Sequence, residues 1–221
     1  MLTMSTPHLI FSAMSPAKRK KRIKRRSYHH GNLRRALIDE ALAIIRDEGV
    51  DGLTLREIGA RVGVSRTALY RHFADKQALL TAVATEGFRM LREALVAAWE
   101  DGGRGPLGSR AMGVAYVRFA VANPSHYRVM FSRFVEPQPQ EPALAAEAEG
   151  AFQALVDAVA ALQRDGLLRD DDTTLMARFV WAVVHGVAML AIDGQLPEPG
   201  DVEELMQYAL ERLGTGIRFD Q

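Results

Sequence analysis

The chain has 221 residues, of which 48% are hydrophobic and 25% charged, with 28 Lys and Arg against 27 Asp and Glu. That is ordinary globular composition, enough for one large domain or two small ones. No cysteine is present, which excludes a disulfide framework and a thiolate metal site, and no run of eighteen apolar residues points to a membrane span.

Residues 1–26 show neither helical nor strand periodicity and end in "KRKKRIKRR", so they are read as a disordered basic arm. The charges come last, the reverse of a secretory signal, and Met4 and Met14 are alternative starts. A first helix is expected from about Asn32 to Glu48, with Leu33, Leu37, Ala41 and Ile44 on one face and Gly49 as its stop. Thr54 with Glu57 forms a capping box that opens a two-turn helix; Ile58 and Val62 face inward and Gly63 ends it. Ser65 caps a third helix carrying Leu69 and Phe73. Asp75 caps a fourth, which runs through Leu79, Val83, Phe88, Leu91 and Leu95 to about Glu100.

"DGGRGPLG" then breaks the chain, and a helix follows from about Leu107 to Ala122. Asn123-Pro124 caps the next one, with proline at the first helical position. "EPQPQEP" (136–142) is a loop, and a helix from about Ala143 to Asp165 ends at Gly166. "RDDDTT" leads into a helix from Leu175 to Ile192, and Asp201 with Glu204 caps a last one ending at Gly214. No strand pattern competes. The expected fold is all-α with about nine helices: an N-terminal three-helix helix-turn-helix domain (27–80) and a further helical bundle (81–221).

Charge is unevenly spread. Residues 1–80 hold 16 Lys and Arg against 7 Asp and Glu, whereas residues 81–221 hold 12 against 20. A basic third on an acidic remainder suggests a polyanion-binding module. The arm carries eight of those positive charges, however, and without it residues 27–80 fall to +1. Charge alone therefore does not establish nucleic-acid binding, and the motif has to carry it.

Two short helices joined at Gly63-Val64-Ser65 form the helix-turn-helix arrangement, whose second helix enters the major groove of DNA. Thr54 and Leu55 lie at the N-terminus of the first, where free N–H groups suit a phosphate. Ile58, Val62, Leu69 and Phe73 lock the unit, leaving Arg66, Thr67, Ala68, Tyr70, Arg71 and His72 facing out or partly out. Arg66 can fork onto guanine, and Thr67 and Ala68 can meet a thymine methyl.

The segment "YHHGNLRRALIDEALAIIRDEGVDGLTLREIGARVGVSRTALYRHFADKQALL" (28–80) strongly resembles the N-terminal DNA-binding domain of the tetracycline-repressor (TetR) family. The resemblance rests on Ala41, Gly49, the "LTLREIGARVGVS" core and "ALYRHFADKQALL". It implies that Arg56, Arg66, Thr67 and Ala68 approach bases and that Thr54, Tyr70, His72 and Lys76 contact phosphates. With Leu55, Ser65 and Arg71 these residues make up the candidate DNA-binding set. It further implies a bacterial, cytoplasmic, nucleoid-associated protein: a homodimer that pairs 175–192 with 201–213, binds a palindromic double-stranded DNA operator and is released by a small molecule. "WAVVHGVAML" (Trp181 to Leu190) resembles a subclass marked by Trp, then His-Gly, in the penultimate helix.

His185 lies four residues after Trp181 and four before Met189, which fits either a packed core histidine or the polar handle of a ligand pocket. Met112, Tyr116 and Phe119, with Tyr127, Met130, Phe131 and Phe134, fit either core or cavity wall. A pocket for an apolar effector is expected between these helices and the one at 175–192, lined by Met112, Tyr116, Phe119, Tyr127, Phe131, Trp181, His185 and Met189. The 175–192 helix is apolar nearly all round and needs burial on every side. No nucleophile–base pair, phosphate-binding Gly loop or metal spacing is found, so neither catalysis nor a cofactor is expected. His29 and His30 are adjacent, point apart and lack clustered acids, which argues for an arm touching phosphate rather than a metal pair. A ligand-independent helix-turn-helix protein is the alternative function, against which stand the roughly 140 residues that DNA binding does not need. The "KRKKRIKRR" run fits either a solvated tail or an arm that follows DNA; if it is the arm, deleting residues 1–26 should weaken all DNA binding and flatten its salt dependence, and unchanged affinity would refute that role.

Overall fold

Side-chain oxygens start four of the helices, three of them at caps the sequence predicts (Thr54, Ser65 and Asp75) and one, at Asp172, that it does not. The computed structural model describes residues 33–135, 141–196, 198 and 200–217; the arm, His29, His30 and most of the 136–142 loop lie outside them. Among the described residues there are nine α-helices and no strand: α1 (Leu33–Gly52), α2 (Leu55–Val62), α3 (Arg66–Tyr70), α4 (Lys76–Asp101), α5 (Gly105–Ala122), α6 (Pro124–Met130), α7 (Pro142–Arg164), α8 (Thr173–Ile192) and α9 (Asp201–Ile217). Thr54 Oγ1 accepts from the Glu57 N–H at 3.3 Å and Ser65 Oγ from Ala68 at 3.2 Å. Asp75 accepts from Ala78 at 2.8 Å and Asp172 from Leu175 at 2.7 Å. Each such cap stabilises its helix by about 1 kcal/mol.

Several ends differ from the expected ones for local reasons. Gly49 does break α1, at φ +77°, but helical hydrogen bonding resumes as far as Gly52. The Thr54–Glu57 box is half made, because the Glu57 carboxylate turns to Arg61 at 2.6 Å. The Asn123 amide turns back and donates to the Phe119 carbonyl at 3.0 Å, so it closes α5 instead of capping α6. The Asp201 carboxylate accepts from the Glu198 N–H at 3.0 Å. α9 runs through Gly214 to Ile217, since glycine weakens a helix without forbidding it.

Leu37, Ile38, Ala41, Ile44 and Ile45 of α1 form a buried core with Leu53, Ile58, Leu69 and Phe73. This core holds α1–α3 together. α4 runs out of it for 26 residues, about 39 Å, unbroken across residue 80, so the expected domain boundary falls inside a helix. α5, α6 and α7 pack along α4, α8 lies on α5 and α7, and α9 lies on α5 and α8. At the α4–α5 corner the backbones touch: a Cβ on Gly108 would come 2.8 Å from the Trp99 carbonyl oxygen and 3.0 Å from its indole ring.

α8 is long and apolar enough, by length and composition, to cross a membrane, with a mean hydropathy of 1.9. It packs on α5, α7 and α9. Within a single chain it is not buried on every side: Leu175 (61%), Phe179 (52%) and Leu190 (43%) are exposed, and Ala182 and Gly186 lie exposed between them. At spacings of three and four these five residues form one stripe.

Candidate nucleic-acid interface and ligand cavity

α2 stops because Gly63 adopts the left-handed conformation at φ +80°, which a Cβ would disfavour. The N–H groups of Gly63 and Val64 both donate to the Gly59 carbonyl at 3.0 Å. Behind the turn, Arg61 pairs with Glu57 of its own helix (2.6 Å) and joins α2 to α1 through Glu48 (2.7 Å) and Glu40 (3.6 Å). Leu69 (2% exposed) and Phe73 (3%) anchor α3 from below.

The opposite face carries the predicted set. Thr54, Arg56, Ser65, Arg66, Thr67, Tyr70, Arg71 and His72 are exposed, and Ala68 is half-buried. The Arg66 guanidinium lies over the Tyr70 ring at 5.4 Å. Among the described residues Arg56, Arg66 and Arg71 make no ion pair, in contrast to Arg61 on the other side. Three uncommitted guanidinium groups on one helix-turn-helix face suit a phosphate-lined groove. Leu55 is buried, so its side chain belongs to the core and only its peptide N–H is offered outward. Lys76 is half-buried: its ammonium donates to the carbonyls of Val50 (2.8 Å) and Asp51 (3.3 Å) and lies 5.4 Å from the centre of the Phe134 ring. With three N–H groups it keeps a donor for another partner.

Those contacts also join the two halves of the chain. Lys76 ties the start of α4 to the end of α1 and to Phe134 after α6. Ser125 of α6 donates to the Leu42 carbonyl of α1 at 3.0 Å, and Arg35 of α1 pairs with Glu86 of α4.

A cavity of about 580 Å³ lies between α4, α5, α7, α8 and α9. Four of the predicted lining residues, Met112, Tyr116, Phe131 and Trp181, face it; Phe119, Tyr127, His185 and Met189 do not. Phe119 is a buried core residue and Met189 is half-buried against the core. Tyr127 and His185 stand behind Tyr116. Trp181 Nε1 donates to the Tyr116 hydroxyl at 2.9 Å. Tyr127 Oη lies 2.9 Å from the same oxygen and 2.7 Å from His185 Nδ1, which is itself 3.1 Å from Tyr116. Phe131 meets the His185 ring edge-on at 4.6 Å. Burial pushes the Tyr116 hydroxyl up to about 12, raises that of Tyr127 and lowers the pKa of His185. All three are therefore uncharged at neutral pH.

Three walls escaped the sequence reading. α4 supplies Phe88, Leu91 and Leu95, α7 supplies Ala148, Ala151, Phe152, Leu155, Ala158, Val159 and Leu162, and α9 supplies Leu210 and Leu213. No local signal marks them, since an apolar helical stripe has the same pattern whether it meets a neighbour or a cavity. Arg110 and Glu211 are the charged lining residues, and both are exposed. Among the described residues no group of three His, Asp or Glu is placed to hold a metal.

Known proteins share both regions. The family described as "Bacterial regulatory proteins, tetR family" matches residues 37–83, and the one described as "Tetracyclin repressor-like, C-terminal domain" matches residues 109–213. The class C tetracycline repressor of Escherichia coli is 49% identical over 51 residues, 23% of either chain, so the match spans about a quarter of that protein. A solved protein of unknown function from Rhodococcus sp. RHA1 is 33% identical, with a TM-score of 0.76 over 87% of this chain and 99% of its own. The structure of AibR in complex with isovaleryl coenzyme A and operator DNA shares the fold, with a TM-score of 0.69 at 19% identity over 84% of this chain and 99% of that one.

Proposed function

The chain belongs to the TetR family of helix-turn-helix transcription regulators, and from that premise we propose that it is a one-component repressor whose operator complex is dissolved by a small apolar effector. The observation that carries this reading is the cavity of about 580 Å³ walled in part by α4, the helix that emerges directly from the helix-turn-helix unit. An occupant that moves α4 moves the recognition helix with it. AibR, which has this fold, was captured with both an acyl-coenzyme A and its operator.

Residues 27–80 read DNA in this proposal, and residues 81–221 bind the effector and a second copy of the chain in the bacterial cytoplasm. The exposed stripe of α8 from Leu175 to Leu190, beside α9, supports pairing through 175–192 and 201–213. In such a dimer two copies of α3 lie about one DNA turn apart, roughly 34–36 Å, and read a near-palindrome.

The test is binding of the purified chain to DNA upstream of its own gene and to a scrambled duplex, at two salt concentrations, with and without candidate effectors. Preference for the native duplex that survives higher salt and disappears with one effector is the expected result. Tight specific binding that no metabolite disturbs would favour the ligand-independent alternative. Arg66→Ala should cost about 1–3 kcal/mol at one base position, whereas Lys76→Ala should weaken binding to all sequences alike. Competition with single-base operator variants checks both, and the opposite pattern would reverse the two roles.

A further inference from the structure

We propose that the inner end of the cavity is a neutral hydrogen-bonding floor, centred on the Tyr116 hydroxyl, that selects an elongated apolar molecule bearing an uncharged acceptor such as a ketone, ester or amide carbonyl. The proposal rests on the effector reading above and names the chemical class that the site takes.

The floor can be counted proton by proton. Tyr116 and Trp181 face the cavity, whereas Tyr127 and His185 stand behind them. The Trp181 indole N–H is committed to the Tyr116 oxygen at 2.9 Å. If His185 Nδ1 carries the imidazole proton, it donates to Tyr127 at 2.7 Å and Tyr127 donates to Tyr116 at 2.9 Å. Tyr116 then keeps a proton with no acceptor in the cluster. If Nδ1 is bare, Tyr127 donates to it and the 2.9 Å contact is kept by Tyr116 donating to Tyr127, so an occupant must compete for that proton. The Nδ1-protonated tautomer therefore presents the Tyr116 proton to an occupant, while Trp181 fills a lone pair on its oxygen and polarises it as a donor.

The surroundings exclude a charged head group at this point. The charged residues among the cavity lining are Arg110 and Glu211, both exposed. Arg110 lies six residues before Tyr116 on α5, about 9 Å along the helix axis. Burial keeps both tyrosines protonated and His185 neutral. A carboxylate or ammonium at the floor would be stripped of water with no counter-charge. The shape sets the rest of the molecule. α7 lines the cavity from Ala148 to Leu162, about 21 Å of helix, and its lining side chains are all alanine, valine, leucine and phenylalanine. The occupant is therefore long and greasy, with one acceptor at its inner end.

The test uses the full chain and four probes of matched length: 2-decanone, 1-decanol, decanoate and decylamine, each titrated by calorimetry. The ketone and alcohol should bind at least about tenfold more tightly than the two ions, and Tyr116→Phe should lower ketone affinity about tenfold. The infrared band of carbonyl-labelled 2-decanone should shift to lower frequency in the wild-type cavity and return towards its apolar-solvent position in Tyr116→Phe. The discrimination among probes and the wild-type band need no variant, so a misfolded variant cannot hide the answer. Failure of every probe to bind, decanoate binding as tightly as the ketone, or an unshifted carbonyl band would each overturn the proposal. DNA release is scored separately. A ketone that binds with a shifted band but leaves the operator complex intact supports the floor and counts against the effector reading. Release by a compound unlike these, with no binding of the ketone, does the reverse.

Discussion

If α8 pairs two copies as proposed, Phe179→Glu should yield a monomer and lower operator affinity about a hundredfold or more, since linked half-sites gain about 10²–10⁴ in avidity over single ones. Phe179 is 52% exposed on the apolar stripe of α8, four residues after Leu175 and three before Ala182. Ala182 and Gly186 continue that stripe, and a Cβ built on Gly186 meets nothing within 4 Å in the single chain. Small residues there let a second α8 approach closely. A glutamate on this face costs the isolated chain little, because the position already faces water. Between two copies it becomes a desolvated charge without a partner, one of the few substitutions that cost several kcal/mol. Sedimentation velocity gives the oligomeric state, and titration of the operator duplex gives the affinity. A variant that still sediments as a dimer at micromolar concentration would place the interface elsewhere.

Leu69→Ala should cost about 2–5 kcal/mol of stability, the range for a buried leucine cut to alanine, with the loss concentrated in α1–α3. Leu69 is 2% exposed and is the only buried residue of the five-residue α3. A helix that short has almost no stability of its own, so the side chain that seats it decides whether Arg66 and Thr67 are presented at all. DNA binding should fall for operator and scrambled duplex together, while titration of the C-terminal cavity with an apolar ligand stays unchanged. Urea unfolding followed by circular dichroism measures the cost. A variant that reads DNA normally would mean that Phe73 alone holds the recognition helix.

The helix-turn-helix unit was legible in the sequence because local chemistry sets it. Ser, Thr and Asp stand where free N–H groups need acceptors, glycine stands where φ turns positive, and Ile58, Leu69 and Phe73 stand at helical spacing. What was not legible depends on partners distant along the chain. Nothing near Glu57 says that its carboxylate will prefer Arg61, and nothing near Asn123 says that its amide will reach back to Phe119. The commitment of Lys76 to Val50, Asp51 and Phe134 likewise crosses about 25 to 60 positions of sequence. The cavity was half legible. Trp181 and His185 share a helix face, yet Trp181 touches the space and His185 only supports Tyr116 from behind, a difference of depth that periodicity does not encode. The walls from α7 and α9 looked like ordinary core, since leucine and alanine stripes read the same whether they meet a neighbour or a void.

The backbone contact at the α4–α5 corner also bears on how such a sensor could be retuned. With Gly108 held against Trp99, the α4–α5 corner has no room for a larger residue at position 108, which would distort the hairpin without reshaping the cavity. α7 is different. Ala148, Ala151 and Ala158 border the empty space, so valine or leucine at these positions would shorten or narrow the chamber while leaving the α4–α5 hairpin and the helix-turn-helix unit alone. Evolution and a designer of biosensors would face the same asymmetry in the proposed regulator: selectivity for the length and girth of an effector would drift through three alanines on one helix, at positions remote from the helix-turn-helix face.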